Sequence, residues 1–123
     1  MTVLDRIVDI LSDILDLPSS DISGESYLVR DLNAESIDLL EIAVTLNAEF
    51  KTDIDDDVLF MKNLRIHLEE AGASADDRLT ALLKNYPFLS RERLTGILSD
   101  LDGGPVLKVK DLASYILFKA GQP

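Results

Sequence analysis

Apolar residues recur every three or four positions along most of this chain, which is the period of an α-helix. Residues 3–17 show the pattern most clearly, because two neighbouring apolar strips run along one side and aspartates occupy the other. The strips consist of Val3, Ile7, Ile10 and Ile14, and of Leu4, Val8, Leu11 and Leu15. We predict a helix over these residues that ends at Pro18, because proline lacks the N–H group that a continuing helix needs.

Residues 18–33 are rich in serine, aspartate and glycine and show no sustained period, which predicts a long ordered loop. We expect four side chains to hold this loop against the core, namely Ile22, Tyr27, Leu28 and Leu32. A second helix is predicted from Glu35 to Lys51, with Asn33 as its N-cap.

The second helix is apolar on two sides. The residues expected to face the core are Leu39, Ala43, Leu46 and Phe50, which follow a 4-3-4 spacing. A different strip carries Ile37, Leu40 and Val44, interleaved with Asp38 and Glu41. A helix of this kind is either deeply buried or uses one of its sides for another purpose.

The rest of the chain also has a helical pattern. We predict helices over Val58–Ala71, Asp76–Tyr86, the residues from Ser90 to about Leu101, and Lys110–Lys119. Their boundaries follow from Gly72, Pro87, the N-cap Ser90 and the run Gly103-Gly104-Pro105, and Val106–Val109 is expected to be extended. The sequence therefore predicts an all-α fold, a bundle of about five to seven helices in a single domain of 123 residues.

The net charge of −11 is unevenly distributed, because residues 1–60 contribute −12 and residues 61–123 contribute +1. A field of this sign repels nucleic acid and anionic membranes and favours partners with basic docking surfaces. The chain has no cysteine, which excludes disulfides, a thiol nucleophile and cysteine metal sites. No stretch approaches the ~18 apolar residues that span a bilayer, and residues 1–17 do not resemble a signal peptide. We expect a soluble, cytoplasmic monomer.

The segment from Asp31 to Glu41, DLNAESIDLLE, places Ser36 in the first turn of the second helix, after the long loop and among acidic residues. We expect its hydroxyl to be exposed. A phosphodiester on that hydroxyl would lie near the free N–H groups and the positive end of the helix dipole. The alternative is structural, because serines in first turns often cap helices.

The sequence DLNAESIDLLEIAVTLNAEF resembles the signature of acyl carrier proteins, a D-L-G-x-D-S-L-D-x-x-E-type motif followed by an amphipathic helix that ends in E-F. The first helix and the segment LKVKDLASYI are similar to the first and last helices of that family. The resemblance covers about residues 1–59 and 105–119 and leaves residues 60–104 as a helical insertion before the last helix. It implies a protein that is not an enzyme and whose Ser36 receives a 4′-phosphopantetheine arm from coenzyme A. The thiol of that arm would hold acyl cargo as a thioester.

Three single residues depart from the family pattern. Glu35 stands where aspartate is usual, Asn33 where glycine is usual, and Lys108 where a threonine often begins the last helix. The change at Glu35 keeps the charge and moves it by one methylene, which bears on recognition by a phosphopantetheinyl transferase. The length is the largest departure, since carriers of this type are usually much shorter.

The resemblance further implies that the second helix docks onto basic patches of the transferase and of acyl-processing enzymes. The residues expected in this docking face are Glu35, Ile37, Asp38, Leu40, Glu41 and Val44. Acidic side chains steer the encounter, and a small apolar strip supplies contact area. The alternative is that Ile37, Leu40 and Val44 are simply part of the core.

The insertion has three interpretations: it deepens a cavity for a long or unusual acyl chain, it forms a docking platform for one partner, or it is tolerated padding. Its presence favours a specialised fatty-acid, lipid or polyketide pathway. Two other functions remain open, an aminoacyl or peptidyl carrier of a non-ribosomal pathway and a helical adaptor that has lost the arm.

No metal site or catalytic group is predicted. Asp53, Asp55 and Asp57 begin like a calcium-binding EF-hand loop, but valine and leucine stand where that loop needs glycine and glutamate. His67 is the sole histidine and lies between apolar neighbours in a helical stretch, which indicates a structural role.

Overall fold

The computed structural model describes residues 2–121, which form seven α-helices, two short 3-10 turns and no extended strand. The all-α prediction is confirmed. The helices are α1 (Val3–Leu15), α2 (Ser36–Phe50), α3 (Asp56–Leu59), α4 (Leu64–Ala71), α5 (Ala75–Asn85), α6 (Arg91–Ser99) and α7 (Val109–Ala120). The 3-10 turns cover Ser19–Asp21 and Leu101–Gly103.

Helix α1 packs against α2 and α7. Thr2 and Asp5 cap its first turn. The Thr2 hydroxyl accepts a hydrogen bond from the Asp5 N–H at 3.0 Å, and the Asp5 carboxylate accepts one from the Thr2 N–H at 3.1 Å. It ends at Leu15, two residues before the predicted end, because Asp16 adopts the left-handed conformation (φ 55°). The face predicted to be apolar is the one that is buried, with Ile7, Ile10 and Leu11 inside.

The loop between α1 and α2 is ordered and attached to the core, as predicted. Ile22, Leu28 and Leu32 are buried and Tyr27 is half-buried. The segment also pairs with the extended residues before α7. Leu28 donates a backbone hydrogen bond to Leu107 at 3.0 Å, and Val109 donates one to Ser26 at 3.0 Å. Tyr27 and Lys108 form an isolated antiparallel bridge between these two hydrogen bonds.

Two details at the start of α2 differ from the prediction. The helix begins at Ser36 with Glu35 as N-cap, so Asn33 is not the cap. Asn33 instead adopts a left-handed conformation (φ 57°) two residues earlier. Asparagine tolerates this conformation better than most residues other than glycine, which explains how it replaces the glycine of the family motif.

The predicted single helix Val58–Ala71 is wrong. Helix α3 ends at Leu59, and Met61 adopts a left-handed conformation (φ 52°) before α4 begins at Leu64. Leu59, Met61 and Leu64 are all buried. Residues two apart lie on opposite sides of an α-helix, so the turn between α3 and α4 is what allows Leu59 and Met61 to reach the core together.

Helices α4, α5 and α6 pack in sequence, α4 on α5 and α5 on α6. Ser74 and Ser90 cap α5 and α6, and Gly72 ends α4 with a positive φ. The predicted cap at Ser90 is confirmed. Helix α7 begins at Val109, one residue before the prediction, and buries its Leu112, Tyr115 and Ile116 as expected.

Candidate functional site

The site is built on the first turn of α2, where Ser36 is the first helical residue. The chain approaches it along a fixed path, because Leu32 and Ala34 are buried and the Ala34 N–H donates a hydrogen bond to the Leu28 carbonyl at 3.0 Å. Asp38 then closes the turn by accepting a hydrogen bond from the Glu35 N–H at 2.8 Å. The position of Ser36 is therefore set by anchors on both sides.

The side chain of Ser36 is exposed, and its hydroxyl makes no hydrogen bond with any of residues 2–121. Two other serines show what a capping serine does in this molecule. The hydroxyls of Ser74 and Ser90 accept hydrogen bonds from the N–H groups three residues on, at 3.1 and 3.0 Å. Capping at α2 is carried out by Glu35 and Asp38, so Ser36 has no structural task of that kind.

The N-terminus of α2 also suits a phosphate ester. The first backbone hydrogen bond of the helix runs from the Leu39 N–H to the Glu35 carbonyl at 3.0 Å. The N–H groups of Ser36 and Ile37 precede it and have no partner within the helix, whereas the Asp38 N–H is taken up by the Glu35 side chain in the capping box. Together with the helix dipole they favour a negative group next to Ser36. The residues present therefore fit a phosphate-linked prosthetic group on this hydroxyl.

Helix α2 presents a mixed apolar and acidic face beside Ser36. Ile37, Leu40 and Val44 are 71%, 58% and 62% exposed, so they are not part of the core. Ile42, Ala43 and Leu46 are buried on the opposite side. Glu35 and Glu41 are exposed, whereas Asp38 is half-buried and engaged at the helix start. The two-sided character inferred from the sequence thus reflects one buried face and one free face.

A small cavity of about 130 Å³ opens beside Ser36. Its walls come from α2, α3 and the turn after α3, and consist of Ser36, Leu39, Leu40, Asp56, Phe60 and Lys62. No local pattern indicated that Phe60 and Lys62 lie here, because a continuous helix from Val58 would have carried them elsewhere. The left-handed residue Met61 is what brings this turn to the site.

A polar cluster connects the long loop to the segment after α6. The Arg30 guanidinium donates to both carboxylate oxygens of Asp100, at 3.0 and 3.1 Å, and to the Gly104 carbonyl at 2.8 Å. The Tyr27 hydroxyl donates to Asp100 at 2.5 Å. This hydrogen bond raises the pKa of Tyr27 and, together with Arg30, lowers the pKa of Asp100.

A buried ion pair joins α6 to α7. Arg93 donates two hydrogen bonds of 2.8 Å to Asp111, whose side chain is 1% exposed, and a third of 2.7 Å to the Val106 carbonyl. Burial on its own would lower the pKa of Arg93, but the hydrogen bonds and charge of Asp111 outweigh burial and raise it. Asp111 also accepts the Lys108 N–H at 2.9 Å, so one carboxylate serves the ion pair and the start of α7.

Among residues 2–121 the structure contains no group of three or more histidine or acidic side chains arranged to hold a metal ion. Asp55 caps α3, accepting hydrogen bonds from the N–H groups of Asp57 and Val58 at 3.1 and 3.4 Å. His67 is half-buried with its ring edge against Tyr86, at a centroid distance of 5.8 Å. None of the described helices is long and apolar enough to cross a membrane.

Comparison with known proteins agrees with this geometry. Residues 5–65 match the family model described as a phosphopantetheine attachment site. The chain is 39% identical over 56 residues to an acyl carrier protein of Picosynechococcus sp., which covers 46% of this chain and 69% of the relative. It is 36% identical over 77 residues to acyl carrier protein 3 of Ralstonia nicotianae, covering 59% of this chain and 88% of the relative. No solved structure matches it.

The fold and the matched attachment site define a helical carrier of a covalently bound 4′-phosphopantetheine group. Within that class, the chain belongs to the acyl carrier protein family. Members of this family are carriers and not enzymes. Membership implies interaction with a phosphopantetheinyl transferase and with acyl-processing enzymes.

Proposed function

We propose that Ser36 is the residue that carries the phosphopantetheine arm. The observation that carries the proposal is the exposed Ser36 hydroxyl at the start of α2, which makes no hydrogen bond among the described residues while Ser74 and Ser90 are used as caps. The free N–H groups of the first turn support the same residue, because they would face the phosphate of the arm.

Attachment requires one substitution at phosphorus. The Ser36 oxygen forms a bond to the phosphorus that bears the pantetheine of coenzyme A, its proton leaves to a base of the transferase, and the pyrophosphate bond breaks to release adenosine 3′,5′-bisphosphate. The protein's own contribution is to hold the hydroxyl exposed and in a fixed orientation. The bound arm supplies a thiol that holds cargo as a thioester, and the partner enzymes perform the chemistry on that cargo.

The exposed side of α2 is the docking face in this proposal, formed by Glu35, Ile37, Asp38, Leu40, Glu41 and Val44. Three large apolar side chains left in water next to the attachment point are the kind of contact area that a partner covers. The surrounding carboxylates, within a half-molecule of net charge −12, attract basic surfaces and speed the encounter. Docking of this kind is fast and reversible, as a shuttle requires.

The cargo in this proposal is an acyl intermediate of a specialised fatty-acid, lipid or polyketide pathway. The acyl class is supported by the relatives, which are acyl carrier proteins by name. The specialised pathway is supported by residues 60–104, because three packed helices there lie almost wholly beyond the matched residues 5–65. An aminoacyl or peptidyl cargo is the alternative within the carrier class.

In this proposal the chain is one domain, a carrier core of residues 1–59 and 105–119 with residues 60–104 inserted before α7. Two ion pairs between the insertion and the carrier core support this assignment over tolerated padding. Arg93 of the insertion pairs with the buried Asp111 of α7, and Asp100 of the insertion pairs with Arg30 of the loop before α2. Residues of the carrier core thus depend on the insertion for their hydrogen-bond partners.

The experiment that tests the attachment site is intact-mass measurement before and after incubation with coenzyme A and a broad-specificity phosphopantetheinyl transferase. We expect the wild type to gain the mass of one arm. Ser36→Ala should gain nothing, and Ser74→Ala, which removes a serine from another helix start, should gain the same mass as the wild type.

Failure to load has two distinguishable causes. If Glu35 or Asn33 impairs recognition by the first transferase, Glu35→Asp or Asn33→Gly will restore loading. If these variants and the cognate transferase all leave the mass unchanged, the proposed site is wrong and an armless adaptor becomes the better account. Loading of the Ser36→Ala variant would place the arm on a different residue.

A further inference from the structure

Residues 27–34, here called the approach loop, lead directly to the attachment serine and form one hydrogen-bonded unit. The Tyr27 carbonyl accepts the N–H groups of Asp31 and Leu32 at 3.0 and 3.1 Å, and the Asp31 carboxylate accepts the Tyr27 N–H at 2.8 Å. A further backbone hydrogen bond of 3.0 Å returns the last residue of the loop to its interior. Helix α2 begins at Ser36, two residues later. A displacement of the approach loop is therefore passed on to Ser36.

The side chain of Arg30, in the middle of the approach loop, is held by residues of the insertion. Its guanidinium donates to the two carboxylate oxygens of Asp100 at 3.1 and 3.0 Å, to the Asp100 carbonyl at 3.1 Å and to the Gly104 carbonyl at 2.8 Å. The Tyr27 hydroxyl donates to the same carboxylate at 2.5 Å, and the Tyr27 ring centroid lies 4.2 Å from the guanidinium carbon. Two side chains of the approach loop thus meet on one carboxylate of the insertion.

The chain after α6 is shaped around this guanidinium. A Cβ atom at Gly103 would lie 2.9 Å from Arg30 Nη1 and 3.0 Å from Asp100 Oδ1, which is closer than ordinary contact distances allow. The guanidinium therefore fits in its present position because residue 103 is glycine. We call Asp100, Gly103 and Gly104 the arginine cradle.

The arginine cradle lies outside residues 5–65, the part of the chain that matches the attachment-site family model. The approach loop and Ser36 lie inside that part. Transfer of the arm requires the Ser36 oxygen to attack phosphorus, and a reacting group that is misplaced by ~1 Å can lose up to about 100-fold in rate. Residues beyond the matched part therefore hold the loop that determines the position of the reacting oxygen.

We infer that Asp100 is a positioning residue for arm transfer: through Arg30 and Tyr27 it holds the approach loop so that the attachment hydroxyl is presented in attacking geometry. The inference rests on the function proposed above, and it gives the insertion a task in the modification of the carrier core. The exposed face of α2 takes no part in these hydrogen bonds. Docking of the transferase is therefore independent of Asp100, and only the reaction after docking depends on it.

The test measures kcat and KM for arm transfer to the full-length protein, with coenzyme A and the transferase that loads the wild type. Asp100→Ala should lower kcat about tenfold, within the loss that misplacement by ~1 Å can cause, and should leave KM for the carrier unchanged. Asp102→Ala makes the same change at an exposed aspartate two residues further on and should alter neither constant. Circular dichroism at the assay temperature verifies that each variant is folded.

Two further variants separate positioning from a general loss of stability. Asp100→Asn keeps an oxygen that accepts hydrogen bonds from Arg30 and Tyr27, so it should recover most of the lost kcat. Gly103→Ala displaces the guanidinium without changing any charge, and it should lower kcat as Asp100→Ala does. Its control is Gly96→Ala on α6, where an added Cβ has open space around it, and this variant should keep the wild-type kcat.

Hydrogen exchange at the Ala34 N–H reports whether the approach loop has loosened, and we expect faster exchange in Asp100→Ala. Three results would overturn the inference: an unchanged kcat, a rise in KM that accounts for the whole loss of kcat/KM, and a fall in kcat without faster exchange at Ala34. The second of these would make Asp100 a contact of the transferase. Failure of the proposed function is recognised separately, because the wild type would then gain no arm or Ser36→Ala would gain one.

Discussion

Helix α2 of the carrier core and the insertion differ in how many large apolar side chains they leave exposed. Helix α2 of the carrier core leaves three large apolar side chains in water, whereas the insertion buries Leu82, Tyr86, Leu94 and Ile97 completely and leaves Ile66 as its exposed large apolar residue. The charges differ as well, since residues 1–60 carry a net charge of −12 and residues 61–123 a net charge of +1. Exposed apolar side chains and net negative charge are thus concentrated in the first half, whereas the second half mainly buries its apolar side chains.

The aromatic side chains show how the two regions share one core. Tyr86 meets His67 and Phe88 edge to face, and Phe88 meets Tyr115 of α7 at 5.1 Å between ring centroids. Arrangements of this kind contribute about 0.5–1.5 kcal/mol each beyond the area they bury. The chain of rings runs from the insertion into the carrier core, so the boundary between the two regions is not a structural one.

The largest effect is expected from breaking the ion pair that connects the regions. Arg93→Met should lower the free energy of unfolding by about 3–5 kcal/mol, because it leaves the buried Asp111 carboxylate without its partner. Urea denaturation followed by circular dichroism measures it. Arg91→Met, an exposed arginine at the start of the same helix, is the control and should change little. A loss below about 1 kcal/mol for Arg93→Met would mean that the two regions are only loosely joined.

A second effect concerns the exposed face of α2. The double variant Ile37→Ala/Val44→Ala should reduce kcat/KM for arm transfer about tenfold, equivalent to about 1.4 kcal/mol of lost contact. Its unfolding free energy should stay within about 0.5 kcal/mol of wild type, as for other surface changes. Ile66→Ala/Leu117→Ala removes two exposed apolar side chains elsewhere and should leave transfer unchanged. Equal losses of kcat/KM in both double variants would contradict the assignment of α2 as the docking face.

A smaller effect is expected at Tyr86, in the core of the insertion. Its hydroxyl is buried without a hydrogen-bond partner among the described residues, and burial raises the pKa of Tyr86 to about 12. Because the pKa is higher in the folded state than the value near 10 in the unfolded chain, ionisation of the tyrosine favours unfolding. The contribution of this group to the free energy of unfolding is therefore fully present below pH 10 and is lost as the pH rises through about 12. Tyr86→Phe should remove this alkaline loss, measured by urea denaturation across that range, and should be neutral or stabilising by about 1 kcal/mol at pH 7.

Tyr115→Phe is the matched control in the carrier core. The Tyr115 hydroxyl accepts a hydrogen bond from the Asp55 N–H at 3.0 Å, so its removal should cost about 1 kcal/mol. If both tyrosine variants lose stability equally, the Tyr86 hydroxyl has a partner in solution.

The smallest effect is expected at the exposed Glu25, which pairs with Lys108 and Lys110 and thereby fastens the long loop to the start of α7. Hydrogen bonds from Lys110 and Lys108 lower the pKa of Glu25 to about 2. Stability from this group is therefore complete above pH 4.5 and is lost as the pH falls towards 2. Glu25→Gln should flatten the decline of Tm across that window, whereas Glu70→Gln, at an exposed residue of α4, should not.

The sequence predicted the elements whose signals are local. Periodicity indicated α1 and α2, and Ser90 marked the start of α6 correctly. The break at Met61 had no such signal, because neither glycine nor proline stands at the residue that adopts the left-handed conformation. The pairs Arg30–Asp100 and Arg93–Asp111 could not be predicted either. Their members are 70 and 18 positions apart in the chain, and local periodicity does not indicate contacts over such separations.

At the site, the exposure of Ile37, Leu40 and Val44 was one of two alternatives, and only the packing of α2 on α1 decided between them. The exposure of Ser36 was expected from its place in the helix. The nearness of Phe60 and Lys62 to it was not, because it depends on the unpredicted turn.

The pairing of residues 26–28 with residues 107–109 has a consequence for how the protein is made. Helix α1 packs on α7, the last of the described helices, as well as on α2, so the part of its apolar surface that faces α7 stays uncovered on the ribosome until most of the chain has emerged. Contacts that span so much sequence slow folding relative to locally connected helical bundles. Synthesis of a fragment that stops before residue 105 should therefore yield an aggregation-prone product, even though the attachment serine and its helix are complete by residue 50.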